Sequence, residues 1–362
     1  MNLVRQVNQY QTLEDVQLGA TLPDGGRKRR LAILRDDQRG KIAGRSGQEF
    51  KISHFAFYIL LLLTAVTPGC GPSNSAAAPS TPTARLEAVW GRPGNADGRL
   101  FKPRAITIDP QDHLYLVDMT ARIQVFDADG RFLRGWQTPE HQFGRPTGLS
   151  IGRDGNVLVA DTHYHRVLIY SPQGELLRTQ GGTEGHRPGE FELPTHVIQD
   201  RQGNYYVAEY GDYDRIQKFS PDWRFLLQWG SHGEAPGQFI RPQKMALDDH
   251  DRLWVTDACN HRIQVFSIAG KLLFLWGTQG ERPGELYYPY DLALASDGSL
   301  YVCEFGNHRV QHFTAEGRSL GCWGTCGHDE GQLYNPWGVV RDRSARLFVL
   351  DTYNHRVQRI RW

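Results

Sequence analysis

Three ionisable side chains, those of His196, Lys244 and Asp291, each stand two residues after a proline in successive stretches of the chain. An imidazole, an ammonium group and a carboxylate that converge in one place can bind a metal ion or act as acid and base. If the protein is an enzyme, these residues are its candidate catalytic set.

An acidic residue followed a few positions later by an arginine recurs six times along the chain. The pairs are Asp118 with Arg122, Asp161 with Arg166, Glu209 with Arg215, Asp257 with Arg262, Glu304 with Arg309 and Asp351 with Arg356. A ring of guanidinium groups would suit a binding surface, whereas a carboxylate that holds an arginine and nearby amides would fix a chain reversal. Because the pair is present in every copy, we interpret it as scaffold.

A frame of glycines, such as Gly277, Gly280 and Gly284, precedes five of the six copies. Glycine-rich loops hold phosphate where a strand precedes and a helix follows. Strands are expected on both sides of these loops, so we interpret the glycines as turn residues that supply positive φ.

The unit that positions these residues begins at a proline and recurs at intervals of about 43 to 48 residues. Its starts are Pro103, Pro146, Pro194, Pro242, Pro289 and Pro336. Each unit contains four short runs of strand-forming residues separated by turn formers; in the fourth copy they are residues 245–247, 253–255, 263–266 and 272–276. Six such copies predict an all-β fold, a six-bladed β-propeller with four-stranded antiparallel blades.

The last copy has three strand-like runs, whereas residues 85–91 resemble an outer strand that precedes the first copy. We predict that this strand completes the last blade, so that no open sheet edge separates the first blade from the last. The propeller would then span residues 85–362.

Three segments carry a resemblance to a known family. Residues 257–266, 305–311 and 351–358 read DACNHRIQVF, FGNHRVQ and DTYNHRVQ, and they closely resemble the NHL repeat. The resemblance implies a six-bladed propeller and an interaction scaffold, since NHL propellers mostly mediate binding. Related six-bladed propellers include metal-dependent amidating lyases and lactonase-like hydrolases. A metal-dependent lyase or hydrolase with its site at the propeller centre is therefore the alternative function.

Function is expected where the copies differ, on the face of the disc that we call the loop face. The starts of the innermost strands, the turns between second and third strands and the glycine loops all meet there. The predicted binding residues are Arg104, Gln243, Tyr290, Trp337, Tyr164, Tyr210, Tyr213, Phe305 and Tyr353. An aromatic rim with a few polar groups is typical of a binding site, here for a protein, peptide or glycan, although variable solvated loops would give the same pattern.

The chain before the propeller predicts export. Residues 1–54 are a polar lead, either disordered or the product of a start placed too early. Residues 55–70 join an uncharged apolar run, too short to span a bilayer, to small residues and Cys70, which resembles a bacterial lipoprotein signal. Residues 71–84 form a linker rich in Pro, Ser, Ala and Thr. We expect a protein tethered to the membrane through a lipid on Cys70; a soluble secreted form and an uncleaved or cytoplasmic form are the alternatives.

The remaining cysteines and the charge balance limit the function classes. Cys322 and Cys326, near His328, suit a local disulfide or ordinary thiols, and with no second ligand pair in the sequence we predict no metal site. The states of Cys259 and Cys303 stay open. Acidic residues slightly outnumber basic residues over 85–362, which argues against nucleic-acid binding. We expect no cofactor and a monomer.

Overall fold

Each of the six copies contributes to one four-stranded antiparallel sheet, which confirms the all-β, six-bladed propeller. The computed structural model describes residues 84–142 and 144–362. The predicted polar lead at 1–54, the signal-like segment at 55–70 with Cys70, and the linker up to residue 83 lie outside the described residues.

In blades 1 to 5 the strands follow one another in chain order from the centre of the disc to its rim, and in blade 6 the outermost strand comes from the start of the described chain. The chain begins with β1 (Arg85–Trp90). Blade 1 comprises β2 (Ala105–Ile108), β3 (Leu114–Val117), β4 (Arg122–Phe126) and β5 (Phe132–Gln137). Blade 2 comprises β6 (Gly148–Ile151), β7 (Val157–Asp161), β8 (Arg166–Tyr170) and β9 (Leu176–Gly181). Blade 3 comprises β10 (Leu193–Gln199), β11 (Tyr205–Tyr210), β12 (Arg215–Phe219) and β13 (Phe225–Trp229).

The second half of the disc repeats this order. Blade 4 comprises β14 (Pro242–Leu247), β15 (Arg252–Asp257), β16 (Arg262–Ser267) and β17 (Leu272–Trp276). Blade 5 comprises β18 (Pro289–Leu294), β19 (Leu300–Glu304), β20 (Arg309–Phe313) and β21 (Ser319–Trp323). Blade 6 comprises β22 (Gly338–Arg341), β23 (Arg346–Asp351), β24 (Arg356–Arg361) and β1.

Short 3-10 helices lead from the second strand to the third in three blades. They are Thr162–Tyr164, Ala258–Asn260 and Thr352–Asn354. Each ends at a histidine in the left-handed conformation, at φ 53° for His165, 54° for His261 and 56° for His355. None of the helices in the described part of the chain has the length and apolarity needed to cross a membrane.

The ring is closed by β1, as the sequence predicted. It pairs antiparallel with β24, from Arg85 opposite Arg361 to Trp90 opposite Val357. The Trp90 ring then contacts blade 1, with its centroid 4.9 Å from that of Phe126. Blade 6 therefore combines strands that lie far apart in sequence, and the outer edge of β24 is covered.

The core is divided among the interfaces between neighbouring blades. Tyr115 of blade 1, for example, packs in one cluster with Leu149 and Val159 of blade 2. Near the rim, a tryptophan of one blade lies over a glycine of the next, and a Cβ added to Gly317 would lie 2.5 Å from the Trp276 ring. Because Gly317 also has φ +86°, this position needs glycine for both its conformation and its space.

The innermost strands of blades 3, 4 and 5 are irregular where they begin, at the loop face. The pairing register shifts between Pro194 and His196, between Pro242 and Met245, and between Pro289 and Asp291. Proline has no N–H for the ladder, and a bulge redirects the side chains beside it. The residues that follow these prolines therefore leave the regular alternation of the strand.

Candidate functional site

The six acid and arginine pairs all form ion pairs, with N–O distances of 2.7 to 3.0 Å. Each arginine also reaches the glycine loop or the connection ahead of its own blade. Arg262, for example, donates to the carbonyl oxygens of Glu234 at 2.6 Å, Ala235 at 3.0 Å and Gln238 at 2.8 Å. The guanidinium groups of the repeat are thus occupied by intramolecular bonds.

The histidine and asparagine of the repeat also have structural partners. The Nδ1 atom of His261 accepts from the amide of Tyr288, at 3.1 Å, on the segment that enters the next blade. Burial lowers the pKa of His261, which keeps the ring neutral as this acceptor role requires. Asn260 donates to the carbonyl oxygen of Gly233 at 2.9 Å and to Asp257 at 2.8 Å. The motif that identifies the repeat is therefore used to join turns and blades.

The candidate catalytic residues lie between the innermost strands and are engaged there. His196 donates through Nε2 to the carbonyl oxygen of Leu149 at 3.1 Å and accepts at Nδ1 from the amide of Met245 at 3.3 Å. These bonds join blade 3 to blades 2 and 4, and burial, together with the charge of Lys244, lowers the pKa of His196 well below its usual value. A neutral ring with both nitrogens bonded to the backbone has no free atom for proton transfer.

Asp291 links three blades in the same way. Its carboxylate accepts from the amides of Leu292 at 2.7 Å and Val339 at 3.3 Å, and it lies 3.4 Å from Nζ of Lys244. Burial raises its pKa to about 6, although Lys244 opposes this shift. Of the residues that the sequence suggested for catalysis, Lys244 and Asp291 are thus in contact, whereas His196 is bonded to the backbone of blades 2 and 4. All three side chains connect neighbouring blades.

The raised pKa of Asp291 predicts a specific pH dependence of stability. A carboxyl group with a higher pKa in the folded than in the unfolded chain, where it is about 3.9, stabilises fully below that value and loses the contribution as the pH rises through 6. The free energy of unfolding of the parent, relative to Asp291→Asn, should therefore fall by about 2 to 3 kcal/mol between pH 4 and pH 7. Urea unfolding at pH 4, 5.5 and 7 measures this difference.

Asp222→Asn is the control, because Asp222 is exposed and a hydrogen bond from Ser220 lowers its pKa. Its difference from the parent should stay small across this range. A constant or rising difference for Asp291→Asn would contradict the buried, pKa-raised carboxyl.

An aromatic cluster occupies the centre of the loop face. The ring centroids of Tyr290 and Phe305 are 4.7 Å apart in a stacked arrangement, and that of Trp337 lies 5.1 Å from Tyr290 and 5.7 Å from Phe305. Tyr290 and Trp337 are buried, at 7% and 8% exposure, while Phe305 is only partly buried. Blades 5 and 6 thus supply a solid aromatic floor, of which Phe305 is the accessible part.

Two arginines lie against this cluster. The guanidinium carbon of Arg104 is 5.1 Å from the centroid of Trp337, and that of Arg241 is 5.4 Å from Tyr290 and 5.1 Å from Tyr210. Both side chains are partly buried. We call this group, made of Arg104, Arg241, Tyr210, Tyr290, Phe305 and Trp337, the central cluster.

Of the other predicted binding residues, two lie beside the central cluster and two lie over arginines of the repeat. Gln243 is buried and accepts a hydrogen bond from Nε of Arg241 at 3.3 Å, and Tyr353 is near enough to Arg104 to affect its pKa. Tyr164 and Tyr213 instead lie over the repeat arginines Arg166 and Arg215, at 4.8 and 5.9 Å. The last two therefore belong to the outer part of the loop face.

Sequence reasoning missed Arg241, which stands immediately before the fourth proline. That position differs from copy to copy, with Lys102, Arg145, Leu193, Arg241, Tyr288 and Asn335. Arg241 has φ +62°, an uncommon conformation for a residue other than glycine. The variation among copies is visible in the sequence and could have marked this position, whereas the predicted binding residues lie after the prolines or in the turns between second and third strands.

In the part of the chain that the structure describes, the thiols and potential metal ligands add no further site. Cys259, Cys303, Cys322 and Cys326 are free thiols, so no local disulfide joins Cys322 to Cys326. Among the residues described, no three His, Cys, Asp or Glu side chains are grouped so as to hold a metal ion. The residues at the propeller centre do not fit the metal site that a metal-dependent lyase would need.

Known proteins share the repeat and the fold. Residues 143–170, 239–266, 286–313 and 333–360 match the family model of the NHL repeat. NHL repeat-containing protein 3 of Mus musculus is 30% identical over 201 residues, which are 50% of this chain and 56% of that protein. Peptidylglycine alpha-amidating monooxygenase of Rattus norvegicus is 36% identical over 188 residues, 49% of this chain and 18% of that protein.

Among solved structures, a streptogramin B lyase superposes with a TM-score of 0.53 at 14% identity, covering 73% of this chain and 93% of that chain. This likeness is one of fold. The chain spans about half the length of the mouse relative and less than a fifth of the rat enzyme.

Proposed function

Since the chain belongs to the NHL-repeat β-propellers, we propose that it is a binding module that holds a protein, peptide or glycan on its loop face. One observation carries the proposal. The polar residues of the repeat bond to one another and to the backbone, as Arg262 does, whereas the central cluster combines accessible aromatic surface with two arginines outside that pattern. Partly exposed aromatic rings and arginines are the side chains most often found at the centres of binding interfaces.

The alternative is an enzyme, a metal-dependent lyase or hydrolase. It is favoured by relatives that are named as enzymes, such as the amidating monooxygenase. The candidate set offers little to it, because His196 is bonded at both ring nitrogens and Asp291 is bonded to two amides and Lys244. Stoichiometric zinc or calcium in purified protein would favour the enzyme over the binding module.

The proposed location is outside the cytoplasmic membrane, with a lipid on Cys70 as the tether. Its support is the apolar run and the small residues ahead of Cys70, followed by a linker of small and polar residues. Two acyl chains would anchor the module stably where one would not. Mass spectrometry of the peptide that contains Cys70 decides whether it is lipidated.

Binding arrays with two substitutions test the loop face. The chain is screened against peptide and glycan arrays, and hits are measured by biolayer interferometry. Phe305→Ala and Tyr210→Ala should each weaken binding at least about fivefold, since truncating a central interface residue costs about 1 kcal/mol or more. Both residues are partly exposed, so they are safer choices than the buried Tyr290 and Trp337.

Leu226→Ala and Leu273→Ala are the controls. These leucines are 44% exposed on outer strands β13 and β17, away from the loop face, and should change affinity less than about twofold. Hits that bind both loop-face variants as well as the parent would refute the proposal.

A further inference from the structure

We propose that the central cluster is a site for an organic anion, whose carboxylate or phosphate group binds Arg104 and Arg241 and whose carbon skeleton lies on the aromatic rings. This inference rests on the proposed binding function and names the chemistry of what is bound. It assigns the site to two residues that lie outside the repeat pattern.

The first argument is that these guanidinium groups lack anionic partners. Within residues 84–142 and 144–362, neither Arg104 nor Arg241 forms an ion pair with a carboxylate. The six repeat arginines, by contrast, are all paired at 3.0 Å or less. In the described residues the side chain of Arg241 donates one hydrogen bond, from Nε to Gln243 at 3.3 Å, and the side chain of Arg104 contacts the Trp337 ring. Most of their N–H donors remain available, although partly buried charges are normally paired.

The second argument is that positive charge accumulates here. Burial and the neighbouring charge of Arg241 lower the pKa of Arg104 to about 10, so the guanidinium is still charged at neutral pH but is destabilised there. Arg145 adds to this repulsion. The negative charge of a bound anion would offset both the cost of desolvation and the repulsion between the arginines.

One buried acid, Asp214, helps to raise the pKa of Arg241 and so favours its charged form, but the hydrogen bonds of its carboxylate go to other groups. Its carboxylate accepts from Nδ1 of His232 at 2.5 Å and from the backbone amide of Arg241 at 3.3 Å. Asp291 is likewise occupied by Lys244 at 3.4 Å. The local balance therefore favours a negatively charged ligand.

The third argument concerns the shape of the ligand. Arg104 and Arg241 lie against Trp337 and Tyr290, whose ring centroids are 5.1 Å apart. The arginines thus lie over two buried rings, and Phe305 and Tyr210, which pack against the same group, are its partly exposed aromatic members. A planar guanidinium matches the geometry of a carboxylate or phosphate, and aromatic rings accept flat apolar groups beside it. The site accordingly suits an oxyanion attached to an aromatic or similarly flat group.

Isothermal titration of the full chain with four small probes tests the inference. The probes are benzoate, phenyl phosphate, benzyl alcohol and inorganic phosphate. We expect benzoate or phenyl phosphate to bind with a Kd of about 0.1 to 1 mM, which is reasonable for ligands of their size. Benzyl alcohol lacks the charge and inorganic phosphate lacks the ring, so each should bind at least about tenfold more weakly. The ratio of benzoate to phenyl phosphate affinity identifies which oxyanion the site prefers.

The variants Arg104→Gln and Arg241→Gln should each weaken binding of the aromatic anion at least about tenfold. Arg224→Gln is the matched control, because Arg224 is exposed and pairs with Asp222 at 3.0 Å, and it should leave the affinity unchanged. Arg104→Gln should also leave the melting temperature unchanged or raise it, since it removes a charge without a partner. If Arg104 were instead a structural arginine, Arg104→Gln would lower the melting temperature.

Two results would overturn the anion site. Either benzyl alcohol binds as tightly as the aromatic anions, or both arginine variants keep the parent affinity for them. Neither result would contradict the proposed binding function of the loop face, because that proposal is tested by whether the array hits require Phe305 and Tyr210.

Discussion

A chain that lacks residues 85–91 is expected to melt at least about 10 °C below the parent. The deletion removes β1, whose pairing with β24 runs from Arg85 to Trp90, and it removes the contact of Trp90 with Phe126 of blade 1. Burial of one large side chain contributes roughly 2 kcal/mol, and β1 carries several partly buried ones. In a domain of this size each kcal/mol changes the melting temperature by about 2 °C. Differential scanning calorimetry measures the change.

Two comparisons make this result specific to ring closure. Deletion of residues 71–77, a stretch of equal length ahead of the described region, should leave the melting temperature within about 2 °C. A synthetic peptide of residues 84–92, added in excess to the shortened chain, should raise its melting temperature by occupying the open edge of β24. The same peptide with Trp90→Ala should do so less. Equal melting of the shortened chain and its parent would contradict closure by β1.

Arg309→Gln should lower the free energy of unfolding by about 3 to 5 kcal/mol, the usual cost of breaking a buried ion pair. Arg309 is buried and pairs with Glu304 at 2.7 Å, and it donates to the carbonyl oxygens of Glu281, Arg282 and Glu285 at 2.5, 3.2 and 3.0 Å. Glutamine reaches fewer of these atoms and leaves the carboxylate of Glu304 buried without its counter-charge. Urea unfolding at pH 7 measures the loss.

Arg224→Gln, which breaks an exposed pair with Asp222, should cost no more than about 1 kcal/mol. The double variant Glu304→Gln with Arg309→Gln should recover part of the loss, because it removes the unpaired carboxylate. Equal costs for Arg309→Gln and Arg224→Gln would show that the repeat pair is not structural.

Much of the fold was predictable because the same pattern of four strands and turns occurs in six copies along the sequence. The spacing of the prolines predicted the number of blades and where each one begins. The missing fourth strand of the last copy and the strand-like residues 85–91 predicted the pairing between β1 and β24. The interpretation of the acid and arginine pairs as scaffold followed from their presence in every copy, and all six pairs are joined in the structure.

The site was harder to predict, because it depends on where single side chains point. His196, Lys244 and Asp291 share a position two residues after a proline, which suggested a shared pocket. The bulges beside the prolines of blades 3, 4 and 5 alter the strand alternation, and no rule of spacing predicts that His196 finds Leu149 on one side and Met245 on the other.

Arg241 illustrates a second limit. The sequence does not show whether this arginine has an ion-pair partner, because pairing depends on which blades meet in the assembled ring. Arg104 was named from the sequence as a binding residue, but its relation to Arg241 appears only when blades 1 and 4 both reach the centre of the loop face.

The central claim is that the six arginines of the repeat stabilise the propeller, whereas Arg104 and Arg241, which lie outside the repeat pattern, bind an organic anion. Melting temperature and affinity for the better aromatic anion, measured together on Arg309→Gln and Arg104→Gln, test it most directly. We expect Arg309→Gln to have a lower melting temperature than the parent, while its folded fraction binds the anion with the parent affinity. We expect Arg104→Gln to bind the anion more weakly, at an unchanged or higher melting temperature. An Arg104→Gln protein that melts as low as Arg309→Gln and still binds the anion would contradict the claim.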